Sequence, residues 1–304
     1  MKLQLVTHPA CGAHRNGPWH PESPERLGPV LARLEAELVA CGKAAWREAP
    51  LAEPSDVLRV HTAEHLRHLE ALDRCGGGVL DPDTAMGPDS LAAALRAAGA
   101  AVYGVERAMA GEGPAFCPVR PPGHHATPSK AMGFCLLNNV AIAARVAVDR
   151  LGAARVLIVD WDVHHGNGTA DAFRREPRVR YVSMHQWPYY PGTGTEDDVG
   201  AGNLFHVPRP PGLPRARYVA DLLAAVTRAL AGFAPDVLLF SAGFDALAND
   251  PLAGFTLEPP DFADLTREIV GRAGGAPVVS VLEGGYDPER LADAALSHAE
   301  VLAA

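Results

Sequence analysis

Arg155-Val-Leu-Ile-Val-Asp-Trp-Asp-Val-His-His-Gly-Asn-Gly168 runs from an apolar, β-branched segment straight into a turn of acids, histidines and glycines. The first half reads as a buried strand. The second half breaks it with polar groups where regular structure ends. The same design recurs along the chain. Candidate strands are 3–7, 115–119, 155–160, 179–184, 236–241 and 277–282. Between them lie longer Ala/Leu-rich segments with helical periodicity at 25–41, 62–73, 89–111, 138–151, 216–232, 260–273 and 287–302. Ser90 to Val102 is strongly helical by propensity, with Asp89 or Ser90 as its cap. Alternating strands and helices predict an α/β fold: a central, mostly parallel sheet flanked by helices on both faces. No repeat or low-complexity linker divides the chain, which is expected to form one domain over 1–304.

Composition narrows the function classes. Apolar residues make up 48% of the 304, enough for a large core, and no run approaches a membrane span. Met1 to His8 reads as a first strand and not as a signal segment, so a cytoplasmic protein is expected. Five scattered cysteines with no C-x-x-C pair argue against a disulfide framework or a thiolate zinc site. A formal net charge of −9 without a Lys/Arg block disfavours nucleic acid. The Ala/Arg-rich, Lys-poor composition hints at a bacterial source.

The polar residues gather just after the strands. Asp160, Asp162 and His164 follow 155–159, His185 follows 182–184, and Asp245 follows 238–244. Tyr286 follows 278–285, while His124 and His125 sit on a Pro/Gly turn after 116–119. In a parallel sheet such loops converge on the carboxyl rim, where ligands bind. Asp160, Asp162 and His164 alternate, so an extended strand end would place them on one face. Asp162 and His164 are then two metal ligands, and Asp245 is a candidate third that leaves one position open for water. A single Asp there would more often cap a helix; Asp-x-Asp-x-His-His-Gly after an apolar strand reads as a site. The His124–His125 pair on a rigid turn suits acid/base work near neutral pH. Tyr286 follows two glycines; a phenol there could donate to a developing oxyanion, although a Tyr after Gly-Gly is on its own more often a packing residue. Asp250-Pro251 reads as a turn.

The assembled motifs resemble the histone deacetylase superfamily, specifically its class II and bacterial histone deacetylase-like amidohydrolases. The resemblance runs in order through His20-Pro-Glu-Ser-Pro-Glu-Arg-Leu27, Asp81-Pro-Asp-Thr84, Arg120-Pro-Pro-Gly-His-His-Ala126 and Gly133-Phe-Cys-Leu-Leu-Asn-Asn139. It continues through Val159 to Thr169, Tyr190-Pro-Gly-Thr-Gly194, Asp245 with Asp250-Pro-Leu-Ala-Gly254, and Glu283-Gly-Gly-Tyr286. It implies the arginase/deacetylase fold and hydrolysis of N-acetyl or other N-acyl amides, such as acetyl-lysine, to a carboxylate and a free amine. By the same resemblance Asp162, His164 and Asp245 are the zinc ligands, and His125 is the general base. His124 is its cationic companion held by Asp160, and Tyr286 polarises the acyl carbonyl. Gly133, Phe134 and Tyr190 resemble the wall of an acyl-lysine channel. One potassium ion is implied on main-chain oxygens of Asp160, Asp162, His164 and Met184, with side-chain oxygens of Asp160 and Ser183. A second is implied near Phe173 and Val179.

Three positions refine the resemblance. Asn167 stands where class I members carry Asp, so a His125 partnered by it gains less basicity. Tyr286 is kept, which weakly active class IIa vertebrate members replace by His. Leu252 stands where polyamine-selecting relatives carry a gatekeeper glutamate, and a leucine cannot pair with an ammonium. An acetylpolyamine amidohydrolase and an acetoin-utilisation-type deacetylase are the alternative readings. The partner is therefore an acylated lysine or small acyl-amine, with no nucleic acid and no membrane; the oligomeric state is left open.

Overall fold

A computed structural model describes all residues, 1–304. Its strands are β1 (Leu3–Thr7), β2 (Ala44–Glu48), β3 (Gly78–Asp81), β4 (Thr84–Met86) and β5 (Ala115–Cys117). They continue with β6 (Val156–Asp160), β7 (Val179–Gln186), β8 (Leu204–Arg209), β9 (Val237–Ala242) and β10 (Val278–Leu282). The helices are α1 (Leu27–Leu34), α2 (Pro54–Val57), α3 (Ala63–Arg74), α4 (Ser90–Met109) and α5 (Asn139–Asp149). After them come α6 (Asn167–Phe173), α7 (Arg215–Leu230), α8 (Pro259–Arg272) and α9 (Pro288–Leu302). No helix is long and apolar enough to cross a membrane.

Eight strands form one sheet in the order β2-β1-β5-β10-β9-β6-β7-β8, and every pairing in it is parallel. β6, β9 and β10 are buried along their whole length, which explains their unbroken aliphatic sequences. Helices α4 and α5 pack together against the β1/β5/β10 and β6/β9 region, whereas α1, α9, α8 and α7 pack in series as a second layer. The six strands read from the sequence are all present. The edge strands β2 and β8 and the hairpin β3–β4 are additional, because Ala-Ala-Trp-Arg-Glu and a Pro-containing segment carry no strand signature.

Helix ends follow local chemistry. Thr62 accepts from the His65 amide to open α3, and Asp287 accepts from the Arg290 amide ahead of Pro288 to open α9. Asp89 precedes α4 in a left-handed conformation, and its side chain makes no capping bond; Ser90 Oγ instead accepts from Gly87 N at 2.9 Å. The expected helix 25–41 is shorter, α1 passing at Glu35 into a wider turn over Glu35–Val39. α6 escaped the sequence reading because it starts Asn-Gly-Thr, poor helix formers in a glycine-rich setting.

Candidate active site

The carboxyl ends of β5, β6, β9 and β10 lie side by side and deliver the polar loops to one rim. Asp162 and His164 leave the end of β6, and Asp245 follows β9. One donor atom from each lies within 4.8 Å of the others, and all three residues are buried. His164 Nδ1 is 3.1 Å from Asp162 Oδ1 and 3.2 Å from Asp245 Oδ2. Backbone amides hold the carboxylates: Val163 N donates to Asp245 Oδ1 at 2.7 Å and Gly284 N to Asp162 Oδ2 at 2.8 Å. Gly284 is required there, since a Cβ would lie 2.2 Å from Asp245 Oδ2. Burial and the neighbouring Asp162 push the Asp245 carboxyl up to about 7. Two carboxylates and one imidazole, crowded and short of positive charge, fit a divalent cation with an open fourth position.

The histidine pair stands beside this cluster with its rings 4.0 Å apart. His124 Nδ1 lies 3.0 Å from Asp160 Oδ2, which also accepts from Tyr181 OH at 2.7 Å. Burial opposes a charge on His124, but Asp162 and Asp160 overcome it and raise its pKa to about 10. His125 faces the opposite balance. Burial and the cationic His124 hold it well below the usual histidine range, while its Nδ1 is 2.8 Å from Asn167 Oδ1. With the amide oxygen accepting, His125 carries its proton on Nδ1 and leaves Nε2 free to take another. The turn itself hangs on Glu283, whose Oε2 accepts from Gly123 N at 2.6 Å and His124 N at 3.2 Å.

A cavity of about 190 Å³ opens over these groups. Its walls include Phe134, Tyr190, Tyr189 and Leu252, with His125, His164 and Tyr286 at its inner end and Asp83 also lining it. Gly133 has a positive φ and presses on the His125 ring, where a Cβ would come within 2.4 Å. Its amide reaches Asp83 Oδ1 at 3.3 Å, so Asp83 helps to fix this wall. Phe134 stands edge-on to Tyr286 at 5.9 Å. Tyr286 is positioned by three contacts from two residues. Asp250 Oδ2 accepts from its amide at 2.7 Å, the Arg26 guanidinium lies 4.8 Å from its ring centre, and Arg26 Nε donates to Gly285 O at 2.5 Å. Burial raises the phenol pKa well above its ordinary value, so Tyr286 stays protonated and able to donate.

Sequence reading brought these ligands, histidines and channel residues to one rim, but it passed over several others. Tyr189 stacks on His164 at 5.5 Å and donates to Leu252 O; only its place in Tyr-Tyr beside Tyr190 hinted at this. Asp250 does shape its turn, accepting from Leu252 N, and it also anchors Tyr286. Glu283 and Arg26 lay inside quoted motifs without a role. His185 does not reach the cavity: its ring bonds Ser183 Oγ and Gly194 O beneath the rim.

The potassium-related residues divide. After β6 the carbonyls of Trp161 and Val163 accept from Tyr218 OH and Gln186 N, while those of Asp162 and His164 accept no protein hydrogen bond. Those orphaned carbonyls, with the Asp160 and Ser183 side chains nearby in paired strands, fit a cation. At Phe173 and Val179 the donor set does not fit. Both carbonyls already accept from Asn203 Nδ2, each at 2.8 Å.

Comparison with known proteins shows the family. A family model described as the histone deacetylase domain matches residues 20–302. The chain belongs to the histone deacetylase family. It is 40% identical over 295 residues to a probable deacetylase of Methanothermobacter thermautotrophicus, covering 95% of this chain and 87% of that one. It is also 40% identical over 279 residues to a histone deacetylase-like amidohydrolase of Pseudomonas aeruginosa, covering 88% and 72%. The crystal structure of the HDA15 HD domain superposes with a TM-score of 0.93 at 34% identity, covering 99% of this chain and 90% of that one. The fold is therefore the arginase/deacetylase fold, and the protein is a hydrolase acting on amides. The histone deacetylase family is zinc-dependent, which matches the charge-deficient Asp162, His164 and Asp245 cluster.

Proposed function

We propose that this protein hydrolyses N-acyl amides of linear amines, acetyl-lysine among them, with zinc held by Asp162, His164 and Asp245. The observation that carries the reading is the junction of that cluster with His125 and Tyr286 at the inner end of an aromatic-walled cavity. Zinc bound there supplies Lewis acidity toward the acyl carbonyl and lowers the pKa of water.

The chain's own residues do the rest. Phe134 and Tyr190 hold the aliphatic arm of the substrate, and their apolar faces exclude water from it. His125 Nε2 takes the proton of the attacking water, because its low pKa leaves it neutral at pH 7. It returns that proton to the departing nitrogen, so that a free amine leaves. Asn167 fixes the ring and its tautomer, and as a neutral acceptor it does not add charge that would raise the basicity of His125. His124 stays cationic against Asp160 and lends a fixed positive field to the developing negative charge. Tyr286 donates to the oxyanion, with its backbone pinned by Asp250 and Arg26. A first potassium ion beneath the site, on the oxygens of Asp160, Asp162, His164, Ser183 and Met184, would tie the β6 loop to β7.

Leu252 itself offers an acylated polyamine no carboxylate, and the one acid lining the cavity, Asp83, already accepts from Gly133 N and Thr84 Oγ through Oδ1, which favours acyl-lysine-like substrates. The test is a panel of acetyl-lysine peptides, acetylated polyamines and longer acyl-lysines with the zinc-loaded protein and a hydroxamate control. Hydroxamate-sensitive release of acetate from the lysine substrates is expected. Exclusive turnover of acetylated polyamines would reject the assigned substrate class, and no turnover of any acyl-amine would reject the function.

A further inference from the structure

The connection from α6 to β7 is closed by one side chain. Asn203, 2% exposed, points its amide nitrogen at three main-chain oxygens: Phe173 O at 2.8 Å, Val179 O at 2.8 Å and Glu176 O at 3.2 Å. An amide NH₂ has two hydrogens, so two of these bonds are full and the longer one is shared. Its orientation is fixed, because Asn203 Oδ1 accepts from Ala201 N at 3.0 Å. Turning the amide over would set NH₂ against N–H and point an oxygen at three oxygens.

Carbonyls that converge in this way are the usual surroundings of a desolvated monovalent cation. Here the converging point is held by covalently attached N–H groups. A cation placed among the same oxygens would meet the positive end of the Asn203 amide dipole. The Arg145 guanidinium already packs 5.1 Å over the Phe173 ring, donating to Ala172 O and to Glu176 Oε2, so the one carboxylate of the turn is paired within the chain.

We propose that the Asn203 side-chain amide takes the place of the second potassium ion, so that the α6–β7 turn is closed by hydrogen bonds and needs no cation. The consequence is local. α6 begins at Asn167, the partner of His125, and β7 leads to Ser183 and Met184, so an uncharged staple keeps these positions in register whatever the potassium concentration.

The experiment compares wild-type and Asn203→Ala crystals grown with thallium(I) in place of potassium, read by anomalous scattering. Melting temperature is followed in parallel against potassium chloride, with choline chloride keeping the ionic strength constant. In wild-type protein no thallium peak is expected between Phe173 O and Val179 O, and the amide is found there. In Asn203→Ala a peak appears at that position, and the melting temperature rises by several degrees more with potassium than that of wild type. A thallium peak on these carbonyls in wild-type protein, with the Asn203 amide displaced, overturns the proposal whether or not the variant folds. A folded variant with neither the peak nor the added potassium response also overturns it, because the amide would then replace no cation.

Discussion

Two buried clusters of charge lie close together at this rim and resolve the same problem in opposite ways. In the first, Glu22 accepts from Arg120 Nε at 2.5 Å, Arg120 Nη2 at 2.7 Å and Arg26 Nη1 at 3.0 Å, with His14 Nε2 3.3 Å away. Burial alone would raise the Glu22 pKa, yet Arg120, His14 and Arg26 together hold it far below the usual carboxylate range. In the second, Asp160, Asp162, Asp245 and Glu283 face mainly His124 and His164. The two imidazoles hold Asp162 well below the usual carboxylate range but leave too little positive charge for the rest, and burial lifts Asp245 and Glu283 each to about 7. Equal burial gives opposite outcomes because one cluster is complete within the chain and the other has more carboxylates than cations. The complete cluster is scaffold, carrying the turns that hold Tyr286. The incomplete one is arranged for a divalent ion.

The sharpest way to break this contrast is Asp245→Asn. Turnover should fall by at least ~10³-fold, more than the roughly 10–100-fold typical of losing an outer-shell partner. Zinc per chain, measured by mass spectrometry after dialysis, should drop with it. In the zinc-stripped protein the same change should leave the stability against urea unchanged or raised, since it removes an uncompensated charge. A clear loss of zinc-free stability would mean that the cluster was balanced after all.

Glu22→Gln should behave in the opposite manner, destabilising the fold by about 3–5 kcal/mol because two buried guanidiniums lose their partner. The pH dependence has a definite sign. The Glu22 pKa is lower in the folded chain than the 4.5 of a free glutamate, so its contribution is fully present above pH 4.5 and is lost as pH falls toward the folded value. The gap between wild type and Glu22→Gln, measured by urea unfolding, should therefore be widest near neutral pH and narrow steadily in acid. A gap that is constant with pH would place the effect in packing instead of charge.

Between the clusters stands Tyr286, held by the scaffold and working at the site. Tyr286→Phe keeps the ring against Arg26 and Phe134 and removes only the donor, so kcat should fall by about 10²-fold. KM and melting temperature should change little. A variant with wild-type kcat would remove Tyr286 from the chemistry.

The sequence showed the incomplete cluster far better than the complete one. Asp162, His164 and Asp245 follow apolar strands, and although one acid there would more often cap a helix, the Asp-x-Asp-x-His-His-Gly pattern after such a strand marks a site. Glu22 and Arg26 are charged residues four apart in a Pro-rich segment, which by themselves describe a solvated turn; only the packing of Arg120 and of the Glu283 and Gly285 carbonyls against them makes them core. Edge strands β2 and β8 were hidden for a related reason. Their stability comes from pairing with β1 and β7, not from their own residues. The fully buried strands β6, β9 and β10 carry that information in their own side chains. Asn203 is a further case, a single asparagine whose three carbonyl partners are brought together by the fold.

The smallest test adds charge to the cluster already rich in it. Asn167 accepts from His125 at 2.8 Å through a neutral oxygen, and Asn167→Asp would place a carboxylate at the same point. His125 is held well below the usual histidine range by burial and by His124. A new carboxylate favours the imidazolium and works against both causes, so the acid limb of kcat/KM should move to higher pH. Below that limb the variant should lose activity, because less of the base is free. On the plateau it should stay within a few-fold of wild type, since ring position and tautomer are kept. A profile that does not move would show that His125 is not the base whose titration limits turnover. A limb moving to lower pH would mean that the added carboxylate is itself protonated, as expected if the cluster resists one more negative charge more strongly than His125 attracts it.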